Sequence, residues 1–168
     1  MAAFTYRMPS GIPGTVNRAE HLTVEPGLLL AGFLPTAFGV PLAIDAATGR
    51  YRAIIGTDTV ANVGGVLVRS YPSNSLGGTD GFGFAGTFNT TTIASIMKRG
   101  YIMMVIGGVA AAAKGGTVFV RIAVPSAGKP IGGFEAASDT VNTIAMPSSW
   151  YFMGPADAQG NCEAAINI

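Results

Sequence analysis

Apolar and polar residues alternate along most of this chain in short runs, each closed by turn residues. The clearest run spans residues 117–124. Val118, Val120, Ile122 and Val124 fall on one face, and Thr117, Phe119, Arg121 and Ala123 on the other. That period of two is what a strand with one buried face requires. Its expected partner is the run 101–106, across the small-residue loop 107–116. Residues 39–44 and 50–55 flank Asp45-Ala46-Ala47-Thr48-Gly49 and predict a hairpin around a turn with Gly near its end. Residues 63–71 form a third β-type run, ended by Pro72 and followed by a polar, glycine-rich loop over 73–83. In the last run, 161–168, Cys162, Ala164, Ile166 and Ile168 share a face opposite Asn161, Glu163, Ala165 and Asn167. The C-terminus is therefore expected in a sheet.

Two segments depart from this texture. Ile93, Ile96 and Met97 would lie together on one helical face, Thr91 or Thr92 could cap the start, and Lys98, Arg99 and Gly100 suit a helix end. A short helix is predicted there, with a strand as the alternative because Thr and Ile also favour β structure. Residues 1–26 carry Pro9, Gly11, Pro13, Gly14 and Pro26 with little periodicity, and read as an extended N-terminal arm. The fold class that follows is all-β: a single-domain β-sandwich, jelly roll or small barrel with at most one short helix. The arm over 1–26 leads into a β-rich domain over 27–168.

Composition changes the picture at the surface. Only 11% of the 168 residues are charged, against roughly 25% in an average domain, while the hydrophobic share of 49% is ordinary. A folded monomer of this size exposes about 7,800 Å², or about 400 Å² for each charged side chain. The largest apolar patch on a soluble monomer is typically about 300–600 Å². Much of this surface is thus expected to face other protein, unless Gly, Ser, Thr and Asn cover it. Ten Lys plus Arg against nine Asp plus Glu give a net charge of +1, and no basic cluster argues for nucleic acid or an anionic membrane. Residues 1–9 contain no apolar run of the kind a secretory signal needs, and the longest low-polarity stretch, 101–113, is too short for a membrane span. Cytoplasmic synthesis without export is the expectation.

Candidate chemistry is sparse. The single histidine, His21, sits between Glu20 and Leu22 within the arm and reads as solvated or interfacial rather than catalytic. The single cysteine, Cys162, lies in an alternating strand and reads as an inert, partly buried thiol. One His and one Cys leave a tetrahedral zinc site without ligands. There is no Gly-x-Ser-x-Gly elbow, and the nine carboxylates are widely spaced. The string Gly81-Phe82-Gly83-Phe84-Ala85-Gly86 matches the letters of a dinucleotide fingerprint. It lacks the preceding strand, the following helix and the acidic residue about 20 positions on that the motif needs, and reads as a loop. No catalytic residue, cofactor or metal is expected.

Several strings carry a likeness. Phe38-Gly39-Val40-Pro41-Leu42-Ala43-Ile44-Asp45, Gly65-Val66-Leu67-Val68-Arg69-Ser70-Tyr71-Pro72 and Arg99-Gly100-Tyr101-Ile102 are three of them. Ala113-Lys114-Gly115-Gly116-Thr117-Val118-Phe119-Val120-Arg121, the tail 152–168 and the arm Phe4-Thr5-Tyr6-Arg7-Met8-Pro9 complete the set. Together they resemble the structural cement, or decoration, proteins of tailed bacteriophages, through strand and turn texture over nearly the whole chain. The resemblance implies a small β-barrel or jelly roll on the virion exterior, made in the host bacterial cytoplasm. Its partners would be the major capsid protein and neighbouring copies of itself, as a dimer or trimer, with no nucleic acid or membrane. The role implied is to stabilise the shell by bridging neighbouring capsomers. Other expectations compatible with the sequence are another virion β-module, such as a tail-tube or head-fibre protein, and a soluble ligand- or sugar-binding β-barrel. For the cement reading, Phe4, Tyr6, Arg7, Met8 and Arg18 are the expected interface residues. The arm has too few apolar side chains to order itself and would order on a neighbour.

Overall fold

The computed structural model describes residues 11–69, 88, 90, 93–108 and 110–168. Among these residues, ten strands run in the order β1 (Val16–Leu28), β2 (Pro41–Ile44), β3 (Tyr51–Ala53), β4 (Val63–Val68), β5 (Ile93–Gly107), β6 (Phe119–Arg121), β7 (Phe134–Glu135), β8 (Thr143–Ala145), β9 (Tyr151–Phe152) and β10 (Asn161–Ile166). Two 3-10 turns, Val60–Asn62 and Thr140–Asn142, are the helical elements among the described residues. The all-β, single-domain expectation is met. The hairpin forms as read, with Leu42 opposite Ala53 and Ile44 opposite Tyr51. Asp45 closes its turn by accepting from Thr48 N at 2.9 Å and Thr48 Oγ1 at 2.6 Å.

All ten strands join one hydrogen-bonded network around β5. Its first half pairs with β1 and with β4, and its second half pairs antiparallel with β10 from Gly100 to Val105. Its end pairs parallel with β7, which carries a three-stranded wing of β7, β6 and β8. Besides its paired edges, β5 buries side chains on both faces. Ile96 packs with Leu29, Leu42, Tyr51 and Leu67 in a small apolar cluster. The adjacent Met97 points into the main core, with Val66, Val120, Phe134, Trp150 and Phe152. Leu42 and Ala43 divide between the same two clusters. This explains why residues 66–68 and 102–104 are continuous buried apolar runs rather than clean alternation.

Residues 93–100, predicted as a helix, belong to β5. The physical reason is tertiary: ladders on both sides satisfy the backbone, and the extended chain sends Ile96 and Met97 to opposite cores, which a helical face cannot do. The run 117–124 also needs correction. Val118 and Val120 are buried as expected, but the strand ends at Arg121, Val124 is 66% exposed, and Arg121 of the supposed outer face is buried. Its partners are β7 and β8 rather than 101–106, whose backbone is taken by β10 and β1. In 161–168 the ladder stops at Ile166, and Asn161 and Ala165 of the outward set are buried too. The loop 73–83 and the string 81–86 lie outside the described residues.

Of residues 1–26, the structure describes 11–26. Gly14 N donates to Met103 O, and Gly14 O accepts from Arg69 N, both at 2.8 Å, so this residue joins β5 to the end of β4. Gly14 and Gly39 sit back to back with φ of 85° and 72°. A Cβ on Gly39 would lie 2.6 Å from Gly14 N, an approach only glycine permits. From Val16 the chain is β1, laid along β5.

Candidate interaction surface

β1 is thirteen residues long and nearly all of it is exposed, unlike the strand it pairs with. Only its β5 side is paired among the described residues. The register slips between Arg18, opposite Tyr101, and Thr23, opposite Arg99, so Ala19, Glu20, His21 and Leu22 bulge from the ladder. His21 takes φ 61°, uncommon for a residue with a Cβ, and is exposed. Leu22 in the bulge and Val24 and Leu28 beyond it present apolar surface, and Ile93, directly opposite Leu28, is 65% exposed.

Two ion pairs fix β1 to the body. Arg18 forms a fork with Glu163, Nη2 to Oε2 at 2.7 Å and Nε to Oε1 at 3.2 Å, with its guanidinium 4.6 Å from the Tyr101 ring centroid. Lys98 reaches Glu25 at 3.5 Å and lies 5.1 Å from the Tyr51 ring centroid. Of the residues expected at an interface, Arg18 is thus placed on β1 with its charge engaged by its own chain. Phe4, Tyr6, Arg7 and Met8 lie outside the described residues.

A second feature is the tip of the β6–β8 wing. Arg121 is buried and its Nε meets Glu135 Oε1 at 2.5 Å, while Nη2 meets Asp139 Oδ2 at 2.6 Å. Lys129 holds the other Glu135 oxygen at 2.8 Å. Burial by itself would raise the Glu135 carboxyl, but hydrogen bonds from Arg121 and Lys129 outweigh it and hold it below its ordinary value. The hydrogen bond from Arg121 likewise lowers Asp139. Arg121 Nη1 also donates to Ala123 O at 3.1 Å and Val124 O at 2.9 Å. That grip holds Val124 at φ 47°, a strained position for a β-branched residue. Ile122 N and Ala123 N both donate to Asn142 O, which sets Val124 and the exposed Val141 at the same end of the wing.

This network was not legible in the sequence. Arg121 and Glu135 are 14 residues apart, and the only signal was a charge inside an apolar run. The pair Arg52–Asp58 is of the same kind: a two-pronged bridge at 2.6 and 2.7 Å, with Asp58 also accepting from Ile55 N.

Reactive groups are not brought together. Cys162 is buried in the main core, and desolvation pushes its thiol up to about 11, so it is un-ionised at neutral pH. His21 stands on the β1 bulge, in a strand that pairs β5 on the side away from the β10 ladder carrying Cys162. Among the described residues no group of three or more His, Cys, Asp or Glu is placed to hold a metal. No helix among them is long and apolar enough to cross a membrane.

Among solved structures, a chain of the capsid of Myoviridae phage XM1 is similar, with a TM-score of 0.71 over 96% of this chain and 92% of that one. The two are 16% identical, so the likeness is one of fold. No curated protein matches the sequence. The family model described as XM1 gp53 minor capsid protein matches residues 1–166, and this chain accordingly belongs to that family of capsid structural proteins of the virion.

Proposed function

We propose that this minor capsid protein is a cement protein, which binds the outer face of the major capsid protein shell and stabilises it by bridging neighbouring capsomers, without enzymatic activity. The observation that carries the reading is β1: a long strand whose second edge is unpaired among the described residues, with apolar side chains turned to solvent, in a chain short of surface charge. Such an edge is costly to leave uncovered and is a template for pairing with another chain. The exposed Leu28 and Ile93 pair supplies apolar area beside that edge. In this reading the segment 1–10, with Phe4, Tyr6, Arg7 and Met8, continues the contact onto a second subunit. The neutral thiol of Cys162 and the separation of His21 from it favour a structural role over a catalytic one.

The test is addition of purified protein to expanded shells that lack it, with occupancy and position read by cryo-electron microscopy. Wild-type protein is expected on the outer surface, spanning capsomer boundaries. Deletion of residues 1–10, or the pair Leu28→Lys with Ile93→Glu, should leave melting within a few degrees of wild type and lower occupancy at least about tenfold. The double change keeps a cross-strand attraction while removing apolar surface. Density inside the shell or on a tail, or full occupancy by both variants, defeats the reading.

A further inference from the structure

A groove of about 470 Å³ opens between the segment 34–41 that leads into β2, the turn 128–134 and the end of β5. Its walls are largely apolar and stiff, with Pro13, Pro35, Phe38, Ile54, Pro130 and Ile131 among them. Among the described residues, Arg69 is the charged one of the lining. Its guanidinium lies 4.7 Å from the Phe38 ring centroid, and Nε donates to Pro13 O at 3.3 Å. Nη1 is buried and has no hydrogen-bond partner among the described residues.

Among the described residues no other buried side-chain nitrogen or oxygen lacks a partner. Arg18, Arg52 and Arg121 each meet one or two carboxylates at 2.5–2.7 Å. Arg69 meets none among the described residues. A guanidinium that lines an apolar groove and meets no carboxylate is a cation that a ligand bringing an anionic oxygen would neutralise. The walls add a second requirement. Prolines offer no N–H and pack as fixed apolar surfaces, so they suit side chains rather than a heavily hydrated ion such as free phosphate.

We propose that this groove docks an extended acidic segment of a neighbouring capsid-shell protein, whose Asp or Glu carboxylate pairs with Arg69 while flanking apolar side chains lie on the prolines and Phe38. The inference deepens the cement reading and rests on it for the identity of the partner; the groove's preference for a carboxylate can be measured without shells.

Two measurements test it. In the first, the free protein is titrated with the acetylated amide peptide Pro-Asp-Leu-Pro and with its Asn counterpart, while the Arg69 side-chain N–H is followed by NMR. The Asp peptide should move that signal and those of Phe38 and Ile131, and the Asn peptide should move them at least about tenfold less at equal concentration. Equal responses, or none, overturn the proposal whatever the shells do. In the second, Arg69→Met and Ile131→Trp are added to shells beside wild type. Arg69→Met should melt within a few degrees of the wild-type temperature, because the relief of a buried, unsatisfied nitrogen offsets the lost contacts to Pro13 O and Phe38, yet bind shells at least about tenfold more weakly. Ile131→Trp should bind weakly with Arg69 intact, since it narrows the groove from another wall. Wild-type binding by both variants overturns the proposal while leaving the cement reading standing. An Arg69-dependent dimer in sedimentation, without a peptide response, would assign the groove to a second copy and also overturn it.

Discussion

The guanidinium of Arg121 is held between Glu135 and Asp139, with two carbonyls of its own strand end completing the shell around it. Removing one partner of a buried pair leaves the other charge uncompensated, which is worse than having no pair at all. Glu135→Gln is therefore expected to destabilise the fold by about 3 kcal/mol, at the lower end of the usual range because Asp139 still holds one prong. Urea unfolding measures it directly, and a loss under about 1 kcal/mol would show that the network is not coupled to folding. The same groups set an acid limit. Both carboxyls sit below their ordinary values when folded, so the unfolded chain takes up their protons first. Their contribution is complete above the unfolded values, about pH 4, and is lost as pH falls through the folded ones. Melting temperature should be flat from pH 7 to 5 and fall below about pH 4, with a shallower fall in Glu135→Gln. An equally steep fall in that variant would place the acid sensitivity elsewhere.

Among the elements, β6 shows how little of a strand needs to be regular to be indispensable. Only Phe119–Arg121 lie in the ladder, yet Val120 is fully buried in the main core beside Phe134 and opposite Ile144. Val120→Asp would place a carboxylate there with no partner and should cost more than about 4 kcal/mol, enough to unfold most domains of this size. Native melting behaviour of that variant would mean that Val120 does not face the core. On the other side of the molecule, the β1 bulge inserts residues without breaking the pairing beyond it, which resumes from Thr23 to Leu28. A bulge of this kind re-aims side chains at an edge, and here it lifts Glu20 and His21 away from β5.

At the scale of the whole molecule, β5 is shared by every layer. It contributes Ile96 to the small cluster and Met97, Ile102, Met104 and Ile106 to the main core, and its last residues seat the β6–β8 wing. Nothing in this arrangement lets one core melt while the other stays folded. A single cooperative transition is expected, with Trp150 fluorescence, which reports the main core, coinciding with far-UV circular dichroism. Separated midpoints would show that the two clusters are independent units. The closing residues join this unit as well: Asn167 accepts from Trp150 Nε1 at 2.9 Å and donates to Lys98 O at 2.7 Å. The end of the chain is thus tied to the middle of β5.

Local pattern was enough to determine the all-β class, the hairpin around residues 45–49, the third run at β4 and the C-terminal strand, because turn chemistry and the alternation of side chains act over a few neighbours. The shortage of charge was legible too, as composition, and it pointed to a surface that meets other protein. Tertiary structure alone decided what depends on residues far apart. Residues 93–100 became strand because β1 and β4 flank them, and no helical signal within that segment can register a ladder built from residues 16–28 and 63–68. Arg121 turned inward because Glu135 and Asp139 arrive from other loops to meet its charge, whereas its place in an alternating run assigned it to the surface. Arg69 lay unremarked in an apolar string, since the absence of a carboxylate beside it among the described residues depends on segments distant in sequence.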